Sequence, residues 1–226
     1  GTISAAYAAG FGVIGTDYLG GLVGYNDGGV INASYSTGDI GGSNAVGGLV
    51  GTNSGTINAS FFATDIGGNP INAGLTLAGN NTGNIDAISG GRSWSALNML
   101  STFTAAGWAI DDQGGTGKTW RLYEGMGTPM LRSFLTPLTI STSISGAKVY
   151  DGNGLNGTIT SYTVGGSFDP GLLLGSSLHY ATAGNGAGSY TASNGTLQFR
   201  GLYSSQQGYD IGYASLGGIT INKAPL

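Results

Sequence analysis

Short runs of alternating apolar and polar residues recur along the first part of the chain. The stretch Gly20–Tyr35 (GGLVGYNDGGVINASY) returns as Gly47–Phe61 (GGLVGTNSGTINASF), 27 residues later at the Gly-Gly-Leu-Val core. Partial copies occupy 1–7 and 77–87. Each copy has two short apolar pieces separated by a turn of Gly, Asn, Asp and Ser. A repeat period in the twenties with a turn in every copy predicts coils that stack on one another.

Residues 31–35 alternate between apolar and polar, which predicts a strand with one buried face. Stacking of the copies then aligns equivalent side chains in columns. We predict an inner isoleucine column of Ile3, Ile31, Ile57 and Ile85 and, beside it, an aromatic column of Tyr7, Tyr35 and Phe61. Asn32 and Asn58 should then face water. This part of the chain is predicted to form a parallel β-solenoid, with right-handed coiling expected from the crossover rule.

The order Gly-Gly-Leu-Val-Gly, followed by Asn-x-Gly-x-Ile-x-Asn-x-(Tyr/Phe), carries a resemblance to a known family. It is similar to the GLUG repeats of large secreted bacterial adhesins of the filamentous-haemagglutinin type, and the similarity covers 1–87. The resemblance implies a segment of a cell-surface adhesin fibre, often exported by two-partner secretion. It also implies host glycans, host proteins or the polysaccharide of a biofilm matrix as ligands, without naming one.

The last copy keeps Ile85 but has Ser89 where the aromatic column would continue, so we expect the core to thin there. An open solenoid end exposes strand edges and needs a cap. Residues 93–103 have helical periodicity, with Ser93 as the N-cap. We predict one short amphipathic helix across the open end, its apolar face formed by Ala96, Leu97, Leu100 and Phe103. Apolar residues on either side of the loop 111–118 predict a hairpin after it.

Beyond Pro137, short strand-like pieces follow one another, separated by turns of Gly, Asn and Ser. They lie at 148–150, 162–164, 178–180, 197–199, 209–213 and 219–221. They predict a small sandwich or a β-grasp-like sheet. Lys148–Gly152 (KVYDG) resembles the YDG repeat of the same adhesins, and 208–211 with 219–221 resembles their MBG modules. We therefore divide the chain into a solenoid at 1–91, a capping helix and hairpin at 92–136, and a YDG/MBG-like β module at 137–226.

Composition narrows the classes of function. The 226 residues include 46 glycines, roughly three times the usual share, and only 8% are charged. The scarcity of Lys and Glu disfavours long surface helices and supports an all-β chain. A net charge of −4 with seven basic residues gives no footprint for nucleic acid or an anionic membrane. The lack of cysteine excludes disulfides and thiolate metal sites. Because the chain opens inside a repeat, we interpret it as a fragment.

A glycine-rich loop and several aspartates suggest chemistry that their surroundings disfavour. Residues 114–119 (GGTGKT) resemble a phosphate-binding loop. However, Asp112 lies where that motif needs Gly, and the residues that follow predict a strand rather than a helix. The tip of a hairpin is therefore the better interpretation. Adjacent Asp111 and Asp112 would point to opposite faces of a strand and make a poor catalytic pair. Asp39 and Asp65 are repeat-equivalent, which favours a role in turns over calcium binding.

The remaining polar candidates have structural explanations. His179 is the only histidine and has no supporting triad motif, so we expect a packing or surface role. Tyr150 and Asp151 suit a turn after a strand, with a ligand site as the alternative. Asn-x-Ser/Thr acceptors, which are glycosylated in some adhesins that this chain resembles, occur at Asn32, Asn58, Asn80, Asn156 and Asn194. We assign no catalytic, cofactor-binding or metal site, and we expect no cofactor.

The residues and the resemblance together predict a non-enzymatic structural and adhesive segment of a secreted adhesin, outside the cell at the bacterial surface. Expected partners are a host-cell or matrix polysaccharide, a host surface protein, and further β modules of the same chain, with neither nucleic acid nor membrane insertion. A carbohydrate-active enzyme or other glycan-binding module on a β-helix is the alternative, which the scattered aspartates disfavour. Ice binding would need a flat threonine array, whereas the outward positions here are Asn and Ser.

Overall fold

The computed structural model describes residues 1–10 and 12–225. Strands account for 46% of the chain and helices for 7%, so the all-β class and the parallel sheets are confirmed. Contacts divide the chain into two compact units. Unit 1 comprises Gly1–Asp112 with Lys118–Pro129, and unit 2 comprises Gln113–Gly117 with Met130–Leu226. Most of the segment 92–136 therefore belongs with the repeats, while the division into three domains stays a prediction.

Within the described residues, unit 1 consists of short strands, with two short helices between the seventeenth strand and the eighteenth. The strands are Thr2–Ser4 (β1), Tyr7–Ala8 (β2), Val13–Ile14 (β3), Asp17–Gly20 (β4), Val23–Asn26 (β5), Val30–Asn32 (β6), Tyr35–Ser36 (β7), Ile40–Gly41 (β8), Asn44–Gly47 (β9), Val50–Asn53 (β10), Thr56–Asn58 (β11), Phe61–Ala63 (β12), Asp65–Ile66 (β13), Asn69–Pro70 (β14), Ala78–Asn81 (β15), Asn84–Ile85 (β16), Gly90–Arg92 (β17), Ile110–Asp111 (β18) and Trp120–Arg121 (β19). The helices are Trp94–Leu97 (α1) and Leu100–Thr104 (α2).

Equivalent strands of successive copies pair in parallel, so the register of each sheet follows the repeat in the sequence. One sheet has the order β1-β6-β11-β16, a second β2-β7-β12-β17 and a third β5-β10-β15. In the first sheet the pairs Ile3–Ile31, Ile31–Ile57 and Ile57–Ile85 lie side by side. In the second, Tyr35 pairs with both Tyr7 and Phe61. Each copy is thus bonded to its neighbours through the same positions.

The single strand that we predicted over 31–35 is wrong, because the chain turns a corner there. Ala33 has a φ of 47°, and the equivalent Ala5 and Ala59 have 52° and 44°. A left-handed alanine costs about 1–2 kcal/mol, so the corner needs support from neighbouring copies. That support includes a bond from the Ser34 backbone N–H to Ser60 Oγ at 3.2 Å. Past the corner the period-2 rule no longer applies, and Ser34 is fully buried although it was expected on the polar side.

The apolar core of the repeats lies between the Ile column and the Gly-Gly-Leu-Val stretches. Its buried members are Ile31, Leu49, Val50, Ile57, Phe62, Leu77 and Ala78. Glycine is required at Gly48, because a Cβ there would collide with the ring of Phe62. The Gly-Gly pair of the repeat therefore makes room for core packing as well as for a turn.

The predicted capping helix is broken into two. Ser93 is the N-cap of α1, as predicted, since its side chain accepts a bond from the Ala96 backbone N–H at 3.2 Å. Met99 then adopts an extended conformation (φ −105°, ψ 127°) before α2 begins. The Leu100 backbone N–H donates to Glu124 Oε1 at 3.0 Å. This acceptor comes from 24 residues further along the chain, so local periodicity could not anticipate the break.

The predicted hairpin around the loop 111–118 is also wrong. Strands β18 and β19 pair in parallel, with Ile110 opposite Trp120 and Asp111 opposite Arg121. Parallel neighbours need a connection that crosses back over the sheet rather than a tight turn. The glycine-rich stretch belongs to that connection and leads into a strand, which gives a phosphate no helix N-terminus to bind.

Unit 2 is built from two sheets. Its strands are Met130–Leu131 (β20), Thr136–Val149 (β21), Asn156–Ile159 (β22), Thr163–Val164 (β23), Leu178–Thr182 (β24), Gly188–Tyr190 (β25), Leu197–Arg200 (β26) and Tyr209–Asn222 (β27), with 3-10 turns at Arg132–Phe134 and Pro170–Leu172. A mixed sheet has the order β23-β21-β27-β25, and an antiparallel one β22-β24-β26. The pieces predicted at 209–213 and 219–221 form one continuous strand. The piece predicted at 148–150 is the end of another long strand, which runs from Thr136 to Val149.

Candidate functional site

The aromatic column does not share the core of the isoleucine column. Phe61 and Phe62 are neighbours in β12, so their side chains point to opposite faces of the sheet. Phe62 belongs to the apolar core. The ring of Phe61 contacts Phe103 and Trp108 instead, with centroids 5.8 and 5.9 Å away. The column therefore faces away from the isoleucines and is buried by residues that follow the repeats.

A chain of aromatic rings extends along this face of the sheet. The rings of Tyr7 and Tyr35 are stacked at 5.5 Å. Trp120 lies 5.9 Å from Tyr35 and 6.1 Å from Tyr7, and Trp108 lies 4.9 Å from Trp120. Residues 94–112 and 118–129, which follow the repeats in unit 1 and are called the covering segment below, thus cover the side of the stack over three copies. We had predicted that this segment lies across the open end of the stack.

The structure places the predicted cap residues in this covering segment. Leu97 and Phe103 are fully buried, while Ala96 and Leu100 are only half-buried. The position opposite Phe61 in the last copy is Gly90, one residue beyond the Ser89 that we expected there. Ser89 instead accepts a bond from the Ser60 backbone N–H at 2.9 Å, which continues the serine contacts of the corners.

Two buried polar bonds fasten the covering segment to the repeats. The Trp108 indole N–H donates to the Ala59 carbonyl at 2.7 Å. The Tyr35 hydroxyl donates to the Pro129 carbonyl at 2.5 Å and lies 3.1 Å from Thr128 Oγ1. Burial raises the pKa of Tyr35 far above its usual value, although the bond with Thr128 works against this shift. Tyr35 therefore remains a protonated donor at any ordinary pH.

Side-chain hydrogen bonds join equivalent asparagines of three successive copies into a ladder, which the sequence reasoning missed. Asn26 Nδ2 donates to Asn53 Oδ1 at 2.7 Å, and Asn53 Nδ2 donates to Asn81 Oδ1 at 2.8 Å. Asn53 is fully buried and Asn26 nearly so. The signal was present, because these asparagines occupy equivalent positions 27 and 28 residues apart. We had assigned outward positions to Asn32 and Asn58, which are half-buried.

The carboxylates have local structural roles. Asp65 accepts bonds from the backbone N–H groups of Gly68 and Trp94. Desolvation acts to raise the pKa of Asp86, but the hydrogen bonds that its carboxylate accepts, among them those from the Ala59 and Ser89 backbone N–H groups, together lower it. Asp151 is bonded to Lys148 at 2.6 Å, which is the main reason that its pKa is lowered. Across residues 1–10 and 12–225, no three His, Cys, Asp or Glu side chains are grouped closely enough to hold a metal ion.

His179 lies on the exposed part of unit 2 between two hydroxyl groups. Its Nδ1 is 3.2 Å from Thr158 Oγ1, and its Nε2 is 2.7 Å from Ser177 Oγ. Thr158 is in β22, opposite His179 in β24. Hydroxyls on both ring nitrogens hold the imidazole in place, and this arrangement matches the surface role predicted for His179.

Unit 2 has an open groove of about 480 Å³. Three short stretches line it, namely 141–143, 161–163 and 214–216. The lining is rich in Ser and Thr hydroxyls and includes no charged side chain. Tyr162 and Leu216 contribute exposed apolar surface, and Ser215 Oγ is buried without a hydrogen-bond partner. Such a lining suits an uncharged ligand that carries hydroxyl groups.

Comparison of the chain with family models, with curated proteins and with solved structures finds no match in any of the three. The helices within the described range are too short and insufficiently apolar to cross a membrane. The geometry of the repeats and of the groove therefore carries the functional argument.

Proposed function

We propose that this chain is a non-enzymatic structural and adhesive segment of a secreted bacterial cell-surface adhesin of the filamentous-haemagglutinin type. In this proposal the repeats of unit 1 form a right-handed β-solenoid that serves as a stiff stalk, and unit 2 is the first of a series of YDG/MBG-like β modules. The protein acts outside the cell, in adhesion or in a biofilm matrix. The observation that supports it best is the pairing of equivalent residues, copy after copy, from Ile3 to Ile85.

Stiffness follows from how the copies are joined. Successive copies are bonded through their corner serines and their backbones. The three copies that contain Asn26, Asn53 and Asn81 are also bonded through these ladder asparagines. The rings of Tyr7, Tyr35 and Phe61 are further tied together by the covering segment. Bending such a stack would separate several buried contacts at once. A quasi-one-dimensional array of this kind holds its binding surfaces at a fixed distance from its anchor.

The groove of unit 2 is the surface on which we place the adhesive contact. The ring of Tyr162 can pack against the C–H face of a sugar, and the hydroxyls of Ser141 and Ser143 can exchange hydrogen bonds with it. Hydrolysis of a glycosidic bond usually requires two carboxyl groups that flank it. The residues that line this groove supply none. The lining therefore favours binding of a host-cell or matrix polysaccharide over its cleavage.

A glycan-array and matrix-protein screen of the whole chain tests the proposal. We expect an uncharged saccharide to bind, and Tyr162→Ala to weaken it at least about tenfold, or 1.4 kcal/mol. Tyr150→Ala is the matched control, because Tyr150 is 43% exposed and Tyr162 39%, but Tyr150 does not line the groove. Equal losses in the two variants, no binding at all, or turnover of the saccharide would count against an adhesive groove.

A further inference from the structure

The longest element pair of the chain joins the first long strand of unit 2 to its last. Strands β21 and β27 are parallel and pair without interruption from Thr136–Tyr209 to Val149–Asn222. Because they are parallel, the chain enters β21 at one end of the pair and leaves β27 at the other. With 14 residues in each strand, the entry and exit points lie about 45 Å apart.

This topology determines how a pulling force would act on unit 2. Tension on the chain before Thr136 and after Asn222 pulls the two strands in opposite directions along their own axes. All the hydrogen bonds between them then resist together, since none can stretch without the others. A force applied to both strands at the same end would instead open the bonds one after another. The barrier to forced unfolding, which governs the rupture rate, is higher in the first case.

Other contacts reinforce the pair at both ends and on both edges. Arg132, just before β21, forms an ion pair with Asp210 of β27 at 2.5 Å. The Thr136 backbone N–H donates to the Gly208 carbonyl at the entry end, and the Tyr150 N–H donates to Asn222 at the exit end, both at 2.8 Å. Strand β23 pairs antiparallel with β21 along one edge, and β25 with β27 along the other.

One face of the pair is also buried. Ile140 and Ile144 of β21, and Ile211, Ile219 and Ile221 of β27, are all buried. Sliding the strands past each other would take these side chains out of register with the core as well as break the ladder. We propose that the β21–β27 pair is a mechanical clamp that lets unit 2 carry tension along the chain. This function goes beyond adhesion and does not depend on which ligand the protein binds.

Single-molecule pulling on the full chain tests the clamp. The chain has no cysteine, so handles attach only where cysteines are introduced. Ser133→Cys with Lys223→Cys loads the pair in shear, whereas Ser133→Cys with Ser205→Cys loads it from one end. All three positions are exposed. At equal pulling speed, we expect an unfolding force at least about twofold higher in shear.

The released length identifies the unfolding event. The 90 residues between positions 133 and 223 span about 300 Å when extended, against about 240 Å for positions 133 and 205. Asn153→Cys with Lys223→Cys loads the pair from its other end and serves as a second one-ended geometry if the Ser205 variant does not fold. Equal forces in the shear and one-ended geometries, or a lower force in shear, would overturn the proposal.

Discussion

Replacement of the central ladder residue, Asn53→Asp, is the sharpest test of how the copies are joined. The side chain keeps its size, but the Nδ2 donor becomes an oxygen. In the native protein Nδ2 donates to Asn81 Oδ1 at 2.8 Å and to the Gly55 carbonyl at 3.3 Å, while Oδ1 accepts from Asn26 at 2.7 Å. The substitution leaves the acceptor role intact and turns two attractive contacts into contacts between oxygens.

The cost can be estimated from these contacts. A buried acceptor left without a donor costs about 1–3 kcal/mol. Neither acceptor bears this cost in full, because the buried Gly55 carbonyl keeps the Asn84 backbone N–H as a donor at 2.8 Å and the exposed Asn81 can turn to water. The larger part of the penalty comes from the new carboxylate, which is buried and faces these two oxygens. We expect Asn53→Asp to lower the free energy of unfolding by about 2–4 kcal/mol at pH 7.

The loss should depend on pH in a defined direction. Burial and the facing oxygens raise the pKa of the new carboxyl in the folded state above its unfolded value of about 3.9. The folded protein then binds the proton more tightly than the unfolded chain does. Stability relative to wild type is therefore lost as pH rises through this window and is partly restored near pH 3.5, where the protonated carboxyl can donate a hydrogen bond.

Urea unfolding at both pH values measures this effect, with tryptophan fluorescence as the signal, because Trp94, Trp108 and Trp120 all belong to unit 1. Asn81→Asp is the matched control. It stands at the exposed end of the ladder and keeps the oxygen that accepts from Asn53, so it should cost no more than about 0.5 kcal/mol. If Asn53→Asp is as stable as this control at pH 7, the ladder does not join the copies as described.

Three further outcomes are expected. Ile57→Asp should cost several kcal/mol because it buries an unpaired charge. Val30→Asp, at an exposed position beside Ile31 in the same sheet, should cost little. A melting temperature unchanged by Ile57→Asp would refute the column. A chain ending at Gly91 loses the cover over Tyr35 and Phe61 and should aggregate in light scattering, whereas one ending at Ser133 should be monomeric. Assays for hydrolase or lyase activity on polysaccharides should find none, with or without added metal; turnover abolished by a single Asp substitution would contradict this.

Features that depend on spacing along the chain could be predicted from the sequence. The pairing of Ile3, Ile31 and Ile57 follows directly from the repeat, because parallel copies align equivalent residues. The Ser93 cap depends on a side chain and a backbone N–H three residues apart. Both predictions need only the spacing of residues along the chain, and neither depends on what else packs against the strand.

Features that depend on distant partners could not be predicted in this way. Phe61 and Phe62 are equally apolar, so the pattern does not say which faces the core. The choice is made by Phe103 and Trp108, which lie 42 and 47 residues further along the chain. The corner at Ala33 could not be predicted for a different reason. Alanine does not favour a positive φ, so its presence in the sequence does not indicate one.

The sequence pattern divided the long strand β27 into two predicted strands. The reason lies in how far apart the paired residues are along the chain, and in this respect the two units differ. Residues 214–218 (ASLGG) have the composition of a turn, and Gly217 has a φ of 83°. The strand nevertheless continues, because every residue from Tyr209 to Asn222 is matched by one in β21, 73 positions earlier. In unit 1 each such match spans a single repeat. Removal of one copy would therefore leave the others paired, whereas the mixed sheet of unit 2 cannot form without both of its long strands.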